Sequence, residues 1–324
     1  MSFAALHAAV TRLATHLVSC GMSQGDRVAI VMRNVPEWPV AFWAVTLAGG
    51  IATPLNAWCT GAELAFGLQD SGATIAIVDA ERWARLHAHI DACPALQKIY
   101  VARGADEIAD RRAGRLEAVI GASGDWAELP QAPLPRVALD PDDDVAIFYT
   151  SGTTGKPKGA VLTHRNIISG MLNALAAQAR AFVRRGQTPP RMDANTPQKA
   201  TLLSVPFFHV TGCLAVMIPR LMTGAKIVLQ RRWDVEAALP LIEKERLTSL
   251  GGVPTILWQI LDHPRIDEYD LSCVDVISYG GAPAAPELLR RIRERFPRIL
   301  PIHNWGMTEN AAVALTNLAE DYQL

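Results

Sequence analysis

An excess of charge of either sign is missing from this chain of 324 residues: 31 Lys and Arg stand against 32 Asp and Glu, a formal net charge of −1. No basic footprint for nucleic acid or for an anionic membrane surface is legible. Cysteine is scarce too. Cys20, Cys59, Cys93, Cys213 and Cys273 lie far apart with no C-x-x-C pair. That spacing argues against a zinc site or a disulfide framework and for ordinary thiols in a reducing compartment, the cytoplasm. Uninterrupted apolar runs are also lacking. Trp38 to Ala62 and Ala200 to Pro219 carry no Asp, Glu, Lys or Arg, yet Pro39, Gly49, Gly50, Pro54 and Asn56 break the first. Pro206, His209 and Gly212 break the second, so neither reads as a membrane-spanning helix. The N-terminus has no basic segment followed by an apolar signal stretch. No internal repeat and no G-x-S-x-G nucleophile elbow occur.

What is present alternates between two periodicities. Leu6, Val10, Leu13 and Leu17 fall at helical spacing and stop at Gly21, after which Val28 to Met32 reads as a buried strand. Thr60 with Glu63 forms a capping-box pattern before Leu64, and Thr74 to Val78 follows as another strand. Lys98 to Val101, Ala146 to Tyr149, Thr201 to Val205, Lys226 to Leu229 and Asp275 to Ser278 read as further strands. The fold class is therefore α/β: two packed subdomains of largely parallel sheets with helices on their faces. Arg103 to Asp144 and Arg184 to Lys199 read as connections, and the second is taken as the boundary, giving subdomains 1–190 and 191–324. The run Asp140, Asp142, Asp143, Asp144 reads as a solvated turn rather than a metal site.

One loop carries most of the chemistry. Tyr149 to Gly159, YTSGTTGKPKG, packs three glycines, five hydroxyl side chains and two lysines into eleven positions directly after an apolar strand. Glycines let backbone N–H groups turn toward an anion, hydroxyls add donors and lysine adds charge, so the ligand expected is a nucleotide polyphosphate. A Walker A loop is excluded. Gly152 and Gly155 are too close, and Pro157 stands where a hydroxyl should follow Lys156.

The longer string YTSGTTGKPKGAVLTHRN, Tyr149 to Asn166, resembles the signature loop of the adenylate-forming superfamily, which includes acyl-CoA synthetases, peptide-synthetase adenylation domains and firefly luciferase. GDRVAI at Gly25, PLN at Pro54, PFFHVTG at Pro206, GGAP at Gly280 and NWGMTE at Asn304 resemble other segments of that family in the right order. The resemblance implies a large N-terminal domain that turns a carboxylic acid and ATP into an acyl-adenylate and passes the acyl group to coenzyme A, with Mg²⁺. PFFHVTG and GGAPAAPELL look closer to ligases of fatty and other carboxylic acids. Two rivals stay open: an amino-acid-adenylating domain, although no lone Asp stands near His209, and a non-catalytic nucleotide-binding remnant.

Site roles follow from the resemblance position by position. Thr150, Ser151, Gly152, Thr153, Thr154, Gly155 and Lys158 match the loop around the β- and γ-phosphates, and Thr308 matches the α-phosphate contact. Glu309, with Thr153, is the implied Mg²⁺ partner. Gly280, Gly281, Ala282, Pro283, Asn304, Trp305 and Gly306 match the adenine segments, with Trp305 standing where a tyrosine is usual. Either Trp305 stacks on the base or it belongs to the core. His209 and Val253 (within GGVPT) fall in segments matched to the acid pocket. The chain ends fifteen residues after Glu309, where the family continues with a Gly-Glu-Leu strand, a ribose-binding Asp and a small mobile domain bearing a catalytic lysine. The resemblance therefore implies an incomplete domain that binds ATP weakly and turns over poorly by itself.

Overall fold

The computed structural model describes residues 1–152, 155–189, 193 and 196–318. Two units form. The first holds Met1–Arg165 with Phe207–His209, and the second holds Asn166–Pro206 with the chain from Val210 onward.

The first unit is built on seven strands: β1 (Arg27–Val31), β2 (Ile51–Pro54), β3 (Ile75–Asp79), β4 (Lys98–Ala102), β5 (Ala113–Arg115), β6 (Asp144–Thr150) and β7 (Lys158–Thr163). Their order is β5-β4-β3-β1-β2-β6-β7, parallel throughout except for the antiparallel pair β6/β7. β3 is buried at every residue and β1 at four of five. A strand covered on both faces needs a continuous apolar run, which is why RVAIV and IAIVD are legible as strands.

Helices cover these strands as the spacing predicts. Helix Phe3–Ser19 buries Leu6, Val10, Leu13 and Leu17, and Ser2 caps it by accepting from the Ala5 N–H at 3.1 Å. Helix Gly61–Ser71 carries the expected capping box, in which the Glu63 carboxylate accepts from the Thr60 N–H at 2.8 Å. Those Thr60 bonds hold the Glu63 carboxyl below its ordinary pKa. The Asp140–Asp144 run is a turn before β6, with Asp142 ion-paired to Arg165 at 2.6 Å and Asp143 accepting from Gln24 at 2.8 Å. Part of the expected connection 103–144 is core instead. Leu116, Ile120 and Trp126 are fully buried, and their short helical turns pack against helix Phe3–Ser19. Three large side chains spaced through a Gly/Ala-rich stretch suffice to fix it, although no periodicity announces them.

The second unit holds six strands: β8 (Ala200–Leu203), β9 (Lys226–Leu229), β10 (Ser249–Gly252), β11 (Val276–Gly280), β12 (Ile302–Trp305) and β13 (Leu315–Asn317). Their order is β13-β12-β11-β10-β8-β9, with only β12/β13 antiparallel. Helices Val235–Lys244, Pro254–Leu261 and Pro286–Arg295 contribute Leu239, Ile242, Leu257, Ile260, Leu288 and Ile292 to one core with Leu250, Ile277 and Tyr279 of the sheet. Both units are thus mainly parallel sheets clad with helices.

Candidate active site

In the first unit, residues 151–157 connect β6 to β7, whose register pairs Thr150 with Lys158. The glycine- and threonine-rich loop is therefore closed at its base by a strand pair. Gly152 has φ +62°, and a Cβ there would stand 2.7 Å from the Lys156 carbonyl oxygen, so the chain doubles back in a form open only to glycine. Ser151, Gly155, Lys156 and Lys158 are exposed, which leaves the Ser151 hydroxyl and both lysine side chains open to solvent. Thr153 and Thr154 lie outside the described residues. At the strand end, the Tyr149 hydroxyl donates to Asp70 at 2.7 Å, and burial beside that carboxylate raises the phenol's pKa.

His209 sits in the first unit through a long-range insertion. Phe207, 1% exposed, stacks on Trp38 with centroids 4.9 Å apart at 18°, and its N–H donates to the Asn34 carboxamide at 2.9 Å. Phe208 meets Trp58 edge-on at 5.2 Å, and the Arg33 guanidinium lies 5.5 Å over the face of Trp58. His209 follows, exposed on one side, while desolvation of the rest of its ring lowers its pKa and favours the neutral imidazole. Asn34 and Trp38 were invisible as site residues in the sequence, because their partner is 173 positions away from Asn34.

In the second unit the candidate segments share one edge. Val253 follows β10, Gly281 to Pro283 follow β11, and Gly306 to Glu309 follow β12. These are carboxyl ends of neighbouring parallel strands, where open α/β sheets bind ligands. Gly280 is required by its neighbour, since a Cβ would stand 2.3 Å from the Asn304 carbonyl oxygen on β12. Gly281, Ala282 and Pro283 are exposed beyond it. The Asn304 carboxamide ties three strands by donating to Ser278 Oγ and accepting from Thr316 Oγ1, both at 2.9 Å. It braces the edge.

Trp305 is 54% exposed, so the core alternative for it fails. Beyond it the chain turns sharply through Thr308–Asn310, with the Met307 N–H donating to the Asn310 side chain at 3.0 Å and the Ala314 N–H to Trp305 at 2.9 Å. Ala311 and Ala312 hold φ +58° and +90°, an unfavourable region for alanine, which stores strain directly after Thr308 and Glu309. Asn310, Ala311 and Ala312 therefore shape the turn, and no residue pattern signalled them. Thr308 is half-buried, and Glu309 is exposed with no hydrogen bond or ion pair to any described residue.

A group of three or more His, Cys, Asp or Glu able to hold a metal does not occur among the described residues. A lone unpaired carboxylate still fits Mg²⁺, which is commonly held by one or two carboxylates with the remaining ligands from phosphate oxygens and water.

Comparison with known proteins agrees with this arrangement. The AMP-binding enzyme family model matches residues 1–324. Rice (Oryza sativa subsp. japonica) 4-coumarate–CoA ligase 2 is 29% identical over 96% of the chain, and a feruloyl-CoA synthase of Amycolatopsis sp is 33% identical over 96%. The chain spans only 53% and 55% of those two proteins. An inhibitor-bound N-terminal domain of FACL13 from Mycobacterium tuberculosis superposes with a TM-score of 0.79 at 27% identity, over all of this chain and 73% of that one. A fatty acyl CoA synthetase of the same organism gives 0.76 at 26% identity, over 99% of this chain and 57% of that one. The two helix-clad parallel sheets are the fold of the adenylate-forming N-terminal domain, and the chain belongs to the AMP-binding enzyme family.

Proposed function

We propose that the protein activates a carboxylic acid with ATP and transfers the acyl group to the thiol of coenzyme A. A carboxylate oxygen attacks the α-phosphorus of ATP, the bond to the bridging oxygen breaks, and pyrophosphate leaves with the electron pair. The thiol sulfur of coenzyme A then attacks the acyl carbon of the adenylate, AMP leaves, and a thioester remains. Neither step needs a protein nucleophile. The protein's work is positioning and charge neutralisation.

Roles divide by segment. Backbone N–H groups and hydroxyls of Thr150, Ser151, Gly152, Thr153, Thr154 and Gly155 donate to the β- and γ-phosphates, and Lys158 supplies a positive charge. Thr308 donates to the α-phosphate oxygen. Gly280 to Pro283 present a low surface to the adenine, and Trp305, already exposed at the strand end, stacks on it. Asn304 and Gly306 keep that edge in shape. His209 and Val253 face the acid. Mg²⁺ when bound neutralises phosphate charge, and Glu309 with Thr153 would hold it.

The observation that carries this reading is the shared edge of the second unit, where three segments leave the carboxyl ends of β10, β11 and β12 together. For the acid we favour a fatty acid, supported by the wording of PFFHVTG and GGAPAAPELL and by the fatty acyl CoA synthetase neighbour. A hydroxycinnamate is the second reading, favoured by the 4-coumarate and feruloyl ligases among the relatives. Hydroxylamine trapping across both acid classes with ATP and Mg²⁺ decides. Acid-dependent hydroxamate with one class selects it, and none with either refutes the proposal. We place the protein in the cytoplasm. Its five cysteines are all free, and no helix among the described residues is long and apolar enough to cross a membrane.

A further inference from the structure

Phe207, Phe208 and His209 pack with a unit whose other residues end at Arg165. Something must hold so short an insertion, and two side chains do. The Asn34 carboxamide, 5% exposed, accepts the Phe207 N–H at 2.9 Å, and Trp38, fully buried, stacks on the Phe207 ring and also on Phe42, the latter at 5.5 Å and 11°. Both come from one short stretch, since Asn34 precedes helix Glu37–Leu47 and Trp38 lies in its first turn. The helix start is thereby a socket for one aromatic residue and its amide.

A buried N–H deprived of its acceptor is costly, so the Phe207 backbone has one favoured position while Asn34 is intact. With Phe207 fixed at backbone and ring, the two following residues have little freedom. Phe208 is directed edge-on to Trp58, and His209 follows it at the exposed surface. We propose that Asn34 is a positioning residue for acid binding: through the Phe207 amide it sets where His209 stands, without touching the substrate. This rests on the reading of His209 as an acid-facing group.

Asn34→Leu keeps the branching of the side chain but removes its acceptor and its donors, whereas Asn34→Asp keeps an acceptor oxygen and serves as the conservative rescue. Amide hydrogen exchange reads the clip itself. The Phe207 amide exchanges about ten-fold faster or more in Asn34→Leu, the factor expected for a lost buried hydrogen bond, and close to wild type in Asn34→Asp. Steady-state hydroxamate formation with ferulate and with palmitate reads the function. KM for the acid rises about ten-fold in Asn34→Leu while KM for ATP stays within two-fold, and Asn34→Asp recovers most of the loss.

Unchanged Phe207 exchange overturns the clip. Faster exchange with an unchanged acid KM, or equal rises in both KM values, overturns the positioning role. A wild-type protein that forms hydroxamate with neither acid overturns the acid-facing role along with the proposed function, and is told apart because the exchange result stands independently. Should Asn34→Leu fail to fold, Trp38→Phe tests the same socket through the ring, with the same predicted split between acid and ATP.

Discussion

Adding one methyl group at Gly280 or at Gly281 produces two very different variants. At Gly280 the new Cβ would stand 2.3 Å from the Asn304 carbonyl oxygen, over an ångström inside ordinary contact, and the obstacle is backbone of the neighbouring strand. No side chain can rotate away. β11 and β12 must separate, which weakens the pairing of Gly280 with Asn304 and the bond from Asn304 to Ser278. Overpacking of this kind costs roughly 1–3 kcal/mol, and each weakened hydrogen bond about 1 kcal/mol more, so about 3 kcal/mol is expected. At Gly281 the nearest atom to a new Cβ is Val253 Cγ1 at 3.7 Å, an ordinary contact, but φ is +76°. The cost there is only the left-handed penalty, about 1–2 kcal/mol. Thermal unfolding reads the difference. At roughly 2–4 °C per kcal/mol for a unit of this size, Gly280→Ala melts about 6–12 °C lower and Gly281→Ala about 2–8 °C lower. ATP affinity falls in both, because the same edge carries the proposed adenine segment. A Gly280→Ala protein with wild-type melting would refute the reasoning, since the close approach of β11 to β12 would then be false.

Other outcomes follow from the same geometry. Trp305→Ala weakens ATP binding measured by calorimetry by about 1–3 kcal/mol, the worth of one stacked base, while melting hardly changes because the indole is 54% exposed. Glu309→Gln raises the Mg²⁺ concentration needed for half-maximal ATP binding about ten-fold, whereas Asp142→Asn, which breaks an exposed pair with Arg165, leaves it unchanged. Replacing Thr153, Thr154 and Lys158 together by Ala abolishes measurable ATP binding without loss of fold, given that a single good donor is worth about 3 kcal/mol in comparable sites. Asp270 has its carboxyl lowered to about 2 by the Ser272 hydroxyl and N–H and by Arg246. A lowered folded-state value stabilises above the ordinary range near 4 and is lost as pH falls toward 2. Asp270→Asn should flatten the acid limb of the melting curve in that window, and an unchanged limb would contradict it.

The parts legible in the sequence share a physical cause. β1, β3, β4 and β9 are apolar runs that need no partner to be recognised, and the Thr60 capping box is local chemistry within four residues. β10 and β12 carry no such mark in the sequence. SLGG and IHNW are too short and too mixed to show a period, and they are strands because neighbouring strands supply their hydrogen bonds. The loop 149–159 announced itself by composition, but its closure into a β6/β7 hairpin depends on Lys158 to Thr163, where exposed and buried positions mix. Asn34 was silent for another reason. A buried carboxamide acquires meaning only when its partner arrives from 173 residues away. The strained Ala311 and Ala312 were silent because nothing in an Ala-Ala pair foretells positive φ.

The most direct test of the central claim is the nucleotide product formed by the protein with a panel of fatty and hydroxycinnamic acids, Mg²⁺, ATP and hydroxylamine. The account predicts AMP and acyl hydroxamate in equal amounts, dependent on the acid and lost in the Thr153, Thr154, Lys158 triple alanine variant. Release of ADP, or of AMP without any acid requirement, would contradict it.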